Sequence, residues 1–251
     1  MAFFLVGRDN SSLFSRRTTW DFQDAVAAAA DGDTIEIEEN FVAEIGSIVI
    51  DKNISIIGKI IESEQLILPT LVGSLIIRNS KVTLKNLSLN NTEPKNCLTI
   101  KQGSSVELDT VIIESNQVEG KIYPICYAED STINIRESVI RSTRDENIHR
   151  IYFQNSSVFI QNTNLNVQTM FNNSKFELLN IALEVIDNNG LHVYNNSEGS
   201  IKDSNLSAGS IEKLRSTIEI LQSNYNKYKY FFEQSRKIFK RVFCKRKYFI
   251  Y

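Results

Sequence analysis

A ten-residue pattern that begins with serine is written seven times between residues 80 and 225, and it decides most of what this chain can fold into. The copies are SKVTLKNLSL (80–89), SSVELDTVII (104–113), STINIRESVI (131–140), SSVFIQNTNL (156–165), SKFELLNIAL (174–183), SEGSIKDSNL (197–206) and STIEILQSNY (216–225). Their starts lie 24, 27, 25, 18, 23 and 19 residues apart. Apolar residues alternate at the third and fifth places: Val82/Leu84, Val106/Leu108, Ile133/Ile135, Val158/Ile160, Phe176/Leu178 and Ile218/Ile220. A period of two marks a strand with one buried face. The tenth place (Leu89, Ile113, Ile140, Leu165, Leu183, Leu206, Tyr225) marks a second short strand. A third lies upstream of the serine, at 75–77, 98–100, 125–127, 151–153 and 191–193. A unit of three short strands cannot bury its own apolar face, so the copies must stack. The expected fold is all-β: a right-handed parallel β-helix of about eight coils, counted from residues 48–61. Irregular spacing suits it, because insertions leave at the corners.

The residue before each repeat serine is Asn79, Gly103, Asp130, Asn155, Asn173, Asn196 or Arg215. Six of these seven types tolerate the left-handed backbone that a corner requires. The seventh place is polar throughout: Asn86, Thr110, Glu137, Asn162, Asn180, Asp203, Gln222. Two readings compete there, a row of solvated turns and an Asn ladder along the solenoid; the turn reading is favoured.

Upstream of the repeats, residues 3–17 read as a short strand and a polar loop. Thr18 with Asp21 fits a capping box. Phe22, Val26 and Ala29/Ala30 form one face of a helix over 23–30, about three turns long, with Gly32 as its C-terminal cap. A strand follows at 34–37. A solenoid needs a lid at each end, and this helix is placed to be the first. The segments WDFQDAVAAAADGDTIEI and IVIDKNISIIGKII resemble the opening of pectin-lyase-like right-handed β-helix proteins. Asp31-Gly32-Asp33-Thr34-Ile35 and Ile54-Ser55-Ile56-Ile57-Gly58 carry that resemblance, which spans roughly residues 18–225. It implies the fold. It implies no single function, since the fold hosts lyases, hydrolases, adhesins and inert scaffolds.

Lyases of that family use clustered Asp for calcium and a basic proton acceptor; its hydrolases place two or three Asp on neighbouring coils. Here the fourth places read Thr83, Glu107, Asn134, Phe159, Glu177, Ser200, Glu219, and the sixth read Lys85, Asp109, Arg136, Gln161, Leu179, Lys202, Leu221. No acidic cluster repeats from coil to coil, and no catalytic residue of the family carries over. The strongest candidate for binding is the corner with Arg136, Arg141, Arg144, His149 and Arg150, since Arg forks suit carboxylates and phosphates. Glu137, Asp145 and Glu146 among them favour a self-paired, solvated loop instead. His192, between Leu191 and Val193, reads as structural, and 187–190 as a tight turn. No metal or cofactor is expected. Cys97, Cys126 and Cys244 are odd in number and widely spaced, which is neither a disulfide framework nor a zinc signature; Cys126 reads as a small core residue.

No apolar run approaches a membrane span of about 20 residues. Residues 2–7 are apolar but too short for a signal-peptide core. The expectation is synthesis in the cytoplasm, with non-classical export left open. The chain divides into a β-helix domain over 1–225 and a tail over 226–251. The tail holds nine Lys/Arg, among them Lys229, Arg236, Lys237, Lys240 and Arg241, and one acid, Glu233. With a whole-chain charge of −2, a tail of +8 leaves −10 for the remainder. Tyr228, Phe231/Phe232, Ile238/Phe239 and Val242/Phe243 recur at helical spacing. The tail therefore reads as a basic amphipathic helix with three possible roles. It could cap the last coil, dock a partner, or meet an anionic membrane or nucleic acid. The function expected from the whole is a non-catalytic binding or scaffold module for a protein or glycan. Against it stand a carbohydrate-active lyase or hydrolase, and a localising domain docked through the tail.

Overall fold

The computed structural model describes residues 1–8, 19–60, 67–116, 123–142, 150–184, 190–206 and 211–225. Among them every strand pairing is parallel, and the strands wind as a right-handed β-helix with three sheets. The first sheet stacks Phe3–Val6, Thr34–Ile37, 54–57, 81–85, 105–109, Thr132–Arg136, Ser157–Gln161, Lys175–Leu179, Glu198–Lys202 and Thr217–Leu221. The second begins at 42–44 and ends at Asn224–Tyr225. The third runs from 47–50 to Ile211–Leu214. About six turns separate Ser80 from Ser216, and strands at both ends extend the stack. The third sheet also contains Gln168–Asn172 and Ile211–Leu214, which the apolar pattern does not reveal.

Inward residues form one continuous core. Its third-place column reads Val82, Val106, Ile133, Val158, Phe176, Gly199, Ile218. The glycine is explained by its neighbour. Phe153, Phe171 and Phe176 stack, with centroids 5.2 and 4.1 Å apart. A Cβ at Gly199 would stand 2.4 Å from the Phe176 carbonyl oxygen and 2.5 Å from its ring. The large ring in one coil requires the missing side chain in the next.

All seven residues before the repeat serines have positive φ, Arg215 included. So do all seven at the seventh place, between 47 and 57°. The two readings of that column turn out to be compatible. The backbone makes a left-handed corner, and the exposed side chains also bond between coils: Asn180 Nδ2 donates to Asn162 Oδ1 at 2.7 Å, and Asn162 Nδ2 to Glu137 Oε1 at 2.5 Å. The preceding corner does likewise, with Asn173 to Asn155 at 2.9 Å and Asn155 to Asp130 at 3.0 Å.

The corner turns the next backbone N–H inward, where it needs an acceptor. The buried repeat serines supply it. The N–H groups of Ser131, Ser156 and Ser174 donate to the hydroxyls of Ser156, Ser174 and Ser197 in the following coil, at 3.3, 3.1 and 3.0 Å. Each of those hydroxyls donates back to a carbonyl of its own coil. A second ladder of this kind uses the eighth place. Val111 N–H donates to Ser138 Oγ, Ser138 to Thr163, Ile181 to Ser204 and Ser204 to Ser223.

At the N-terminal end the helix is shorter than its sequence suggests. Helix α1 is Phe22–Ala28, capped by Asp21, whose Oδ1 accepts from Gln23 N at 2.8 Å. It stops before Gly32 because other groups satisfy its last carbonyls. Lys52 Nζ donates to Val26, Ala27 and Ala29 at 3.0, 2.8 and 2.7 Å. Gly32, at φ 86°, instead turns the chain into Thr34–Ile37. The helix buries Phe22, Ala25 and Val26 in the core beside the first coils, the place expected of a lid.

Candidate functional site

The register settles which outward side chains stand together. Along the first sheet Thr83, Glu107, Asn134, Phe159, Glu177, Ser200 and Glu219 occupy successive rungs of one column. This is the fourth-place alignment read from the repeat. An open trough of about 620 Å³ follows it from Asn134 to Glu219, with Phe159, Lys175, Glu177 and Ser200 on its floor and walls. Phe159 is half-buried, and the Arg136 guanidinium lies 5.8 Å from its ring centroid. Among the described residues Glu177, Glu198 and Glu219 enter no ion pair. A second cleft, of about 330 Å³, follows the corner with Asn162, Asn180 and Asp203. Its Asn162 and Asn180 amides already bond along their ladder, so the first trough offers more free chemistry.

The arginines of the expected binding corner are spread over three sheets. Arg136 stands on the first, 3.9 Å from Glu107. Arg141 stands on the second, its Nε donating to Glu114 Oε2 at 2.6 Å. Arg150 opens a strand of the third, with Nη1 3.8 Å from Met170 Sδ. Arg144 and His149 lie outside the described residues, as do Lys229, Arg236, Lys237, Lys240, Arg241 and most of the turn at 187–190.

Among the described residues no group of three or more His, Cys, Asp or Glu is placed to hold a metal, and no helix is long and apolar enough to cross a membrane. No family model matches the chain, and no curated protein matches it. Among solved structures it is similar to a pectin methylesterase from Aspergillus niger. The two share 10% identity with a TM-score of 0.43, over 89% of this chain and 90% of that one. A likeness of that degree transfers no side chain and no role.

Sequence reasoning missed a polar network on the outer face of the third sheet. There Tyr127, Tyr152, Met170, His192 and Glu212 share one column. Gln168 Nε2 lies 2.8 Å from His192 Nε2, and His192 Nδ1 lies 2.6 Å from Tyr194 OH and 2.9 Å from Glu212 Oε2. Tyr194 OH donates to Glu212 Oε2 at 2.6 Å. The network closes with the proton on Nδ1, leaving Nε2 to accept from the Gln168 amide. Burial holds the His192 pKa below its ordinary value; Glu212 opposes that shift and Arg150 adds to it. Burial also pushes Tyr127 up to about 12, with Glu129 adding to the rise. Cys97 and Cys126 are fully buried, and burial raises both thiols, Cys126 to about 12. Neither is poised as a nucleophile.

Proposed function

We propose that this chain is a non-catalytic β-helix binding module that seats a saccharide along the outer face of its first sheet. The observation that carries this is the trough around Phe159. A half-buried aromatic ring lies on a flat strand face, between the amide of Asn134 and the oxygens of Glu177, Ser200 and Glu219. The ring offers an apolar platform to the C–H face of a sugar, and the polar groups accept from its hydroxyls. Carboxylates without a cationic partner disfavour acidic glycans, so the preferred ligand is neutral or carries an amine. The strand ladder is stiff, so little conformational freedom is lost on binding.

A second reading has one observation behind it. Glu177 and Glu219 face outward two rungs apart, with Ser200 between them. Twice the interstrand spacing is about 9.6 Å, near the upper end of the roughly 6.5–9.5 Å that separates the carboxyls of inverting glycoside hydrolases. Binding and turnover on one glycan array, with neutral, amino and acidic members and with and without calcium, separates the two. The binding module retains ligand without releasing product, and Phe159→Ala weakens its binding at least about tenfold, equivalent to ~1.4 kcal/mol. Product release abolished by Glu177→Gln or Glu219→Gln would establish the hydrolase instead. Binding indifferent to Phe159→Ala would remove the trough from consideration.

A further inference from the structure

The ladder at the seventh-place corner runs between two carboxylates, and its hydrogen bonds cannot all close. Its rungs Glu137, Asn162, Asn180 and Asp203 share one left-handed conformation, with φ between 48 and 51°, so their side chains leave the stack alike. An amide can donate along such a column in one direction only, because its nitrogen and its oxygen point to opposite sides. Glu137 accepts and cannot donate, so Asn162 Nδ2 donates to it and Asn162 Oδ1 accepts from Asn180 Nδ2. Asn180 Oδ1 is thereby turned towards the next coil, where the register brings Asp203, a second group that only accepts. Two amides between two carboxylates fill two of three gaps whichever way they are turned, and the empty one here lies between Asn180 and Asp203. It opens into the cleft of about 330 Å³ whose wall also carries Asn205 and Gln222. Among the described residues the cation nearest Asp203 is Lys202, with Nζ 4.0 Å from Oδ2 and both side chains about half exposed.

We infer that this gap is a calcium site, bridged by Asn180 Oδ1 and the Asp203 carboxylate. Facing oxygen acceptors, one of them charged, are the donor set of a hard cation. The spacing of the coils selects the ion. Like atoms on adjacent rungs stand about 4.8 Å apart. Two oxygens on opposite sides of a calcium ion stand about 4.6–5.2 Å apart, twice the length of a Ca–O bond. Across magnesium they stand about 4.0–4.2 Å apart, less than one rung. The backbone bonds between coils fix both corners and prevent them from closing that difference, since Asn180 N donates to the Lys202 carbonyl and Asp203 N to that of Leu221. Asn205 and Gln222 offer further carbonyl oxygens from the cleft wall, and water completes the shell. With a single carboxylate the affinity is weak, a Kd of about 1 mM. The site shares no lining residue with the trough of the first sheet and does not depend on what binds there.

Titration of the full chain with calcium at constant ionic strength tests this. Calcium at about 10 mM, roughly ten times the Kd, should raise the Tm by a few degrees. It should also shift the Asn180 side-chain amide in the heteronuclear NMR spectrum, and magnesium at the same concentration should do neither. Asp203→Asn supplies the missing donor to Asn180 Oδ1, so it should raise the Tm without any ion and abolish both calcium responses. Equal responses to calcium and magnesium would reflect diffuse screening of the acidic body and overturn the inference. So would a calcium response that persists in Asp203→Asn, which places the ion elsewhere. No response to calcium would overturn it as well, and a lower Tm in Lys202→Gln would then show that the Lys202 ammonium closes the gap.

Discussion

At the corner formed by the seventh place, one β-branched residue is chemically at odds with its conformation. Thr110 is β-branched and sits at φ 57°, where its column neighbours Asn86, Asn162 and Asn180 hold the same angle with a side chain suited to it. A left-handed conformation costs an ordinary L-residue roughly 1–2 kcal/mol, and Asn less. The hydroxyl recovers little, because its bond at 3.2 Å goes to the carboxylate of the adjacent Asp109, which is already paired with Lys85 at 2.6 Å. Thr110→Asn should therefore stabilise the fold by about 1 kcal/mol, a rise of roughly 2–4 °C in Tm for a chain of this size, measurable by calorimetry. The corner column was legible in the sequence because a left-handed backbone selects Asn, Asp and Gly. The eighth-place ladder was not read, although hydroxyls stand there in Ser138, Thr163, Ser204 and Ser223. Leu87, Val111 and Ile181 interrupt that series, and the acceptor for each N–H belongs to another coil, so the pairing exists only once the register is known.

Among the elements, the three sheets differ in what their outer faces hold. The first carries the trough. The third carries the His192 network, which ties three successive strands together through Gln168, His192, Tyr194 and Glu212. Its pH dependence has a definite sign. Burial lowers the His192 pKa in the folded state, so below the ordinary value of about 6.5 the unfolded chain binds more protons. The stability tied to the neutral ring is present above that value and is lost as pH falls through the folded pKa. Arg150 repels the added proton and Glu212 attracts it, and burial prevails. The Tm of the wild type should fall more between pH 7.5 and pH 5 than that of His192→Gln; equal slopes would show that the ring is not held neutral. No local pattern hints at this network, and the reason is physical. His192 alternates with Leu191 and Val193, which mark a strand, but its partners lie 24 residues upstream and 20 downstream across insertions of unequal length. The same uncertainty joined Arg136, Arg141 and Arg150 into one corner, whereas the strands carry them to three sheets. The helix boundary was misjudged because its C-terminal carbonyls are satisfied by Lys52, beyond the reach of local pattern.

For the molecule as a whole, the interface between one coil and the next is nearly the same throughout: parallel rungs, a serine ladder and an apolar column. Stability is then close to a sum over neighbours. The shortest period, 18 residues from Ser156 to Ser174, has no corner insertion. Deleting 156–173 joins Asn155 to Ser174 and leaves a corner residue followed by a repeat serine. The shortened chain should keep its β-sheet circular dichroism and cooperative melting, with a lower Tm. It should also lose the ligand of the first sheet, since Phe159 departs with the coil. Retained binding would move the ligand elsewhere on the surface.

Uniform coil interfaces have a consequence for how such a molecule measures distance. Each added coil advances the axis by one strand spacing, about 4.8 Å, and asks nothing new of the coils on either side. Two groups on one outer column are thus separated by whole multiples of that step. Duplication or loss of a coil resets their separation without redesigning either group. The solenoid is a ruler graduated in its own backbone, and the column from Asn134 to Glu219 reads five consecutive marks on it.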